Sequence, residues 1–140
     1  MSFNQINAIA ASGMAAQRLR VQLIAANVAN SETTRTAEGG PYRRKDAVFQ
    51  VADLGKTPEG LELAGVRVSQ VLASSEPFIT KYEPTHPDAN ADGVVSYPNV
   101  NPVEEMVNLT EASRAFEANV AVLRASRAMA LSAQDLLRVQ

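Results

Sequence analysis

A chain of 140 residues with 13 basic and 15 acidic side chains has a formal net charge of −2, which leaves no basic excess for nucleic acid as a main partner. Cysteine is absent, so a disulfide framework, a thiol nucleophile and a zinc–thiolate site are all excluded. No stretch approaches the roughly 20 apolar residues that span a bilayer, and the N-terminus lacks the basic and apolar regions of a secretory signal. Neither membrane insertion nor conventional secretion is therefore expected.

The first element is a helix. Ser2 with Gln5 three residues on resembles a capping box, and helical spacing runs through Phe3, Ile6, Ala10, Met14, Val21, Ile24 and Val28. Gly13, in mid-helix, would let another backbone approach closely. The helix is expected to end between Asn27 and Ser31, where Asn, Ser and Thr side chains compete for backbone hydrogen bonds.

Past the breaker Gly39-Gly40-Pro41 the period changes from helical to strand-like. Strand candidates are Tyr42 to Val51, Leu61 to Leu72, Phe78 to Tyr82 and Val94 to Tyr97, with turn residues at Gly60, Gly65, Pro84, Pro87 and Gly93. Within the first of these, Arg43-Arg44-Lys45 reads as a solvated strand edge.

The last element has a strong start signal: Asn101 as N-cap, Pro102 at the first helical position and Glu104 three residues after the cap. From Val103 onward there is neither Gly nor Pro. Glu104, Glu105, Glu111 and Glu117 precede Arg124, Arg127 and Arg138, as the helix dipole favours. About 38 residues at 1.5 Å each make a rod of roughly 57 Å, nearly twice the ~30 Å of a small domain. One apolar row runs through Met106, Leu109, Ser113, Phe116, Val120, Leu123, Ala130 and Leu137; Ala112, Ala115, Val122, Met129, Ala133 and Leu136 form a second beside it.

The expected fold is mainly α with a small β insert. Long N- and C-terminal helices pack as an antiparallel, coiled-coil-like pair around an irregular β-hairpin region that hangs from one end. The divisions are an N-terminal helix at 1–30, a loop and small β region at 31–100 and a C-terminal helix at 101–140, the two helices forming one core domain. Helices of ~40 and ~57 Å cannot hide both apolar stripes in one two-helix contact, and the remainder asks for neighbouring subunits.

Little in the chain points to catalysis. Asp88-Ala89-Asn90-Ala91-Asp92-Gly93 matches the first half of a calcium loop, but the twelfth position is Asn99 and prolines stand where the leading helix belongs, so an Asx-rich turn is expected. His86 is the sole histidine and lacks an evident nucleophile partner. Glu104 and Glu105 project about 100° apart and suit a helix N-terminus without acid–base work. The sequon at Asn108-Leu109-Thr110 falls within the helix. No catalytic, cofactor-binding or metal-binding residues are assigned and no cofactor is expected; an enzyme would need convergent polar groups in a closed pocket.

The ends of the chain carry a family likeness. Pro98-Asn99-Val100-Asn101-Pro102-Val103-Glu104-Glu105-Met106-Val107 and Ala115-Phe116-Glu117-Ala118-Asn119-Val120 resemble the C-terminal signature of bacterial flagellar rod proteins. Ala26-Asn27-Val28-Ala29-Asn30-Ser31 is similar to the Asn-rich motif that flagellar axial proteins share after their first helix. Gly39-Gly40-Pro41-Tyr42-Arg43-Arg44-Lys45 and His86-Pro87-Asp88-Ala89 narrow the resemblance to the proximal rod. Departures are slight: Val94 where an aromatic is common, and Phe116 where Tyr is common.

The resemblance implies a structural protein of the basal body, exported uncleaved through the flagellar type III apparatus and polymerised in the periplasm. Implied partners are other proximal rod proteins, the distal rod protein, a small adaptor at the rod base and neighbouring copies. The implied task is to carry torque from motor to hook. Termini that lack partners before assembly are expected to order on docking. The expected assembly interface comprises Phe3, Ile6, Met14, Val21, Ile24, Val28, Met106, Leu109, Phe116, Val120, Leu123 and Leu137. The competing expectation is a self-contained helical adaptor or secretion chaperone that binds one partner through its apolar stripe.

Overall fold

The computed structural model describes residues 3–58 and 60–138, apart from the side chains of Leu137 and Arg138. Ser2, read as an N-cap, lies outside this range. Helix α1 spans Phe3–Ala29 and helix α2 spans Pro102–Arg138, with strands β1 (Lys45–Lys56), β2 (Glu62–Ala73), β3 (Ile79–Tyr82) and β4 (Val94–Tyr97) between them. The expected fold class is the one observed.

Both helix ends nearest the strands are closed by asparagine. Asn30 donates from its backbone and its side-chain amide to the Ala26 carbonyl, at 3.0 and 2.9 Å, which ends α1. Asn101 caps α2 as expected: its Oδ1 accepts from the Val103 N–H at 3.1 Å, and its carbonyl accepts from the Glu105 N–H.

Three cross-helix meetings fix the pairing. Asn27 bonds Glu105, Arg20 reaches Glu111 at 3.8 Å, and Gly13 lies under Asn119. As α1 numbers fall, α2 numbers rise, so the helices run antiparallel from a shared junction at the strand end. Helix α2 has 37 residues against 27 in α1. The surplus of about ten therefore projects past the start of α1, about 15 Å of helix with no partner in the chain.

The seam is narrow and unusually polar. Ala10, Ile24 and Asn27 of α1 are buried with Glu105, Ala112 and Ser126 of α2. The α2 residues recur at seven-residue multiples, the period of a coiled-coil seam. The seam runs between the two rows read from the sequence: Leu109, Phe116 and Leu123 are half-buried along it, whereas Met106 is 62 % exposed. Asn7 Oδ1, Gln17 Oε1 and Ser126 Oγ are buried without a protein hydrogen-bond partner. Each such atom costs on the order of 1–3 kcal/mol, so this half of the pair is weakly held.

The insert departs from the expectation of a region hanging off one end. Antiparallel β1 and β2 form a hairpin with register shifts between Val48 and Phe49 and between Asp53 and Lys56. Rather than hanging free, it lies along α1. At one crossing Asn27 bonds both backbone groups of Lys45 on β1, and at the other Ser12 Oγ accepts the Val66 N–H of β2 at 3.0 Å. Each side chain takes the place of a neighbouring strand at a sheet edge, so α1 crosses obliquely from β1 to β2. Gly65 permits the approach, since a Cβ there would lie 2.7 Å from both Ser12 Oγ and Leu54 Cδ1. The smaller β3–β4 sheet sits near the junction, beside the start of β1, and Val95, Pro98 and Val100 are buried there.

The calcium-like motif is an Asx turn. Asn90 Oδ1 accepts the N–H groups of Asp92 and Val94, while Asp88 takes Arg35 at 2.7 Å and the Thr34 hydroxyl at 2.8 Å. Its oxygens are thus engaged by protein donors. His86 Nδ1 accepts the Asp88 N–H, and its ring stands edge-on to Tyr97.

Candidate assembly surface

Two features stand out among the described residues: a saturated polar junction and a large apolar surface left uncovered. The junction centres on Asn27, which is fully buried and uses all four of its hydrogen-bonding positions. Its amide donates to the Lys45 carbonyl at 2.9 Å and to Glu105 Oε2 at 3.0 Å. Its oxygen accepts from the Lys45 N–H and the Tyr42 hydroxyl, each at 2.9 Å. The other carboxylate oxygen of Glu105, which is 1 % exposed, takes Arg44 Nε at 2.6 Å. Arg44 also pairs with Asp46.

The charges at this junction stabilise one another. Burial disfavours the Arg44 charge, but the hydrogen bond and charge of Glu105, then Asp46, outweigh it and raise its pKa. Burial, then the Glu105 carboxylate, raises the Tyr42 phenol above its ordinary value of 10.0. One side chain from α1, one from the following loop, one from the strand approach and one from α2 are thereby tied at a point.

Sequence reading missed this constellation. In the sequence Glu105 reads as an acid suited to a helix N-terminus and Arg44 as part of a solvated strand edge. The usable signal was a motif asparagine in the first helix together with a second acid beside Glu104, but 78 residues separate Asn27 from Glu105 in the chain.

The expected interface residues fall into different environments. Ile24 is buried inside the chain and braces the helix pair from within. Ile6, Met14, Val21, Val28, Leu109, Phe116, Val120 and Leu123 are half-buried along the seam and its flanks. Phe3 and Met106 are exposed, and the side chain of Leu137 lies outside the described residues. Beside these residues lies the outer flank of α2: Val122, Met129 and Leu136, seven residues apart, are 46, 54 and 75 % exposed. The second row read from the sequence contained all three.

The hairpin is open as well. Phe49 faces Val68 and Val51 faces Val66 across the strands, and Phe49, Val51 and Val66 are exposed. Among the described residues the buried hydrophobic side chains are few and small, with three alanines among seven. A chain with this little core and this much uncovered apolar surface has the make-up of a structural subunit completed by its neighbours.

Comparison with known proteins gives the same class. Residues 8–35 match the family model for flagella basal body rod protein, and residues 91–136 match that for flagellar basal body rod FlgEFG protein C-terminal. The flagellar basal-body rod protein FlgC of Borreliella burgdorferi is 41 % identical, with 97 % of each chain covered. FlgC of Salmonella typhimurium is 40 % identical over 97 % of this chain and 98 % of its own, and that of Bacillus subtilis 36 % over 96 and 97 %. The chain belongs to the FlgC family of flagellar basal-body rod proteins, a family of structural rod components.

Proposed function

We propose that this chain is a subunit of the proximal rod that polymerises through its two terminal helices, meets other rod proteins, proximal and distal, and an adaptor at the rod base, and transmits torque from motor to hook. The observation that carries the reading is the unpartnered end of α2, where Met129, Leu131 and Leu136 are more than half exposed. Family membership supplies the setting; the uncovered helix supplies the means.

The chain travels through the type III export apparatus without a cleaved signal and assembles in the periplasm. A seam with orphaned buried groups at Asn7, Gln17 and Ser126 opens at low cost, which suits passage through a narrow channel. The terminal helices then order fully against neighbours, so circular dichroism registers less helix in the isolated chain than in the rod.

Two substitutions in the native bacterium test the role. Leu123→Asp places a charge on the half-buried seam, and Leu136→Asp places one on the exposed overhang. Both are expected to abolish rod recovery and motility, while purified Leu136→Asp keeps the dichroism spectrum of the parent chain. Motile cells with intact rods from both variants would refute the role.

A further inference from the structure

On one flank of the helix pair, Val21 and Phe116 floor a groove of about 290 Å³ whose rims are Arg18 and Gln22 on α1 and Ser113 and Glu117 on α2. That lies near the bottom of the ~300–1,000 Å³ range for small-molecule sites, and its lining offers no convergent polar set. Its shape is that of a hole between helices that awaits a side chain. Arg18 and Glu117 make no ion pair among the described residues, so the two rims present opposite charges.

The same chain carries a matching knob elsewhere. Leu136 on the α2 overhang is exposed, and beside it stands Asp135, also exposed and without an ion pair among the described residues. An apolar knob next to an acid suits an apolar hole with a basic rim on one side and an acidic rim on the other. Arg18 attracts Asp135 and Glu117 repels it, so the charges fix which way round the incoming helix lies. A chain cannot fill its own hole, because Phe116 and Leu136 are about 30 Å apart along one rigid helix.

Resting on the rod-subunit reading, we infer that the groove over Val21 and Phe116 receives the α2 overhang of a second copy, with Leu136 in the hole and Asp135 against Arg18. Knob and hole occupy different patches of one molecule, so the contact is heterologous and passes from copy to copy, as a helical array requires. The surplus length of α2 is then the reach from one subunit to the next. Exposure rises along Val122, Met129 and Leu136 toward the projecting end, so the knob is the freest of the three.

The absence of cysteine makes the test clean. In the native bacterium, Gln22→Cys on the groove rim is combined with Ala133→Cys, one turn before Leu136, and isolated basal bodies are mildly oxidised. Disulfide-linked dimers and higher multimers of this chain are expected, and a control pairing Lys81→Cys with Ala133→Cys gives at least tenfold less. Arg18→Glu in the double-cysteine background is expected to lower crosslinking at least fivefold, and Asp135→Arg added to it to restore the yield. Absence of multimers, a yield indifferent to both charge changes, or adducts with a different protein would each overturn the inference. If Leu136→Asp abolishes the rod but the cysteine pair gives no multimers, the rod reading stands and this contact falls.

Discussion

The two ends of the helix pair are built on opposite terms. At the junction, Asn27 is buried with all four hydrogen-bonding positions matched, and both carboxylate oxygens of buried Glu105 are engaged. Toward the open end the seam holds Asn7, Gln17 and Ser126 with buried atoms unmatched, and α2 continues alone. Over-determined geometry at one end and a deficit at the other describe a part with a rigid root and a free tip. The root holds helices and hairpin in a fixed relation; the tip stays available for partners outside the chain.

Breaking the root gives the largest expected effect. Glu105→Ala strands Arg44 and leaves an Asn27 amide hydrogen without an acceptor, which costs roughly 3 kcal/mol, the low end for a broken buried pair because Arg44 retains some solvent and Asp46. With no Trp in the chain, tyrosine fluorescence follows the urea midpoint. Glu105→Gln preserves the acceptor for Asn27 but sets an amide N–H against the Arg44 Nε–H and removes the charge, so its midpoint is expected between the two. If Glu105→Ala were neutral, the distinction between root and tip would fail.

The second test probes the helix–hairpin contact nearer the tip. In Gly65→Ala the new methyl meets Ser12 Oγ and Leu54 at 2.7 Å, both movable side-chain ends. The cost is about 1–2 kcal/mol, from overpacking and the weakened Val66-to-Ser12 bond. Hydrogen exchange is expected to speed at the Val66 amide while the Lys45 amide, held by Asn27, stays protected. Equal acceleration at both would mean that the two crossings act as one unit.

How much of this could be read beforehand follows from range. Asn101-Pro102 with Glu104 dictates a helix start through neighbours, and the structure places the cap there. Alternation in Leu61 to Leu72 is a local signal too, and β2 covers nearly that span. The polar junction is different in kind, because nothing near Glu105 reveals that Arg44, 61 residues earlier, will desolvate it. The position of the hairpin depended on Ser12 and Asn27 acting as substitute strand edges, a role that neither periodicity nor propensity encodes. For the overhang, the sequence showed a helix too long for its partner, whereas which end would project required the antiparallel register. The outer row of α2 was visible; its exposure was not.

The smallest effect is the root's share of a pH dependence. The Tyr42 hydroxyl donates to Asn27, and burial followed by the Glu105 charge raises its pKa above 10.0. A raised acid favours the protonated form in the folded chain. Its contribution is complete below the unfolded phenol value near 10 and fades as pH climbs through the higher folded one. The urea midpoint is therefore expected to decline on the alkaline side of that window. Tyr97 sits in the same window, since the hydrogen bond to Glu83, then burial, then the Glu83 charge raise its pKa, so it must be removed to isolate the root. In a Tyr97→Phe background, adding Tyr42→Phe should lower the midpoint slightly at neutral pH, through the lost donor to Asn27, and flatten the remaining alkaline decline. A decline that persisted unchanged would show that the Tyr42 phenol does not carry it, and the phenol would then be a spectator at the junction.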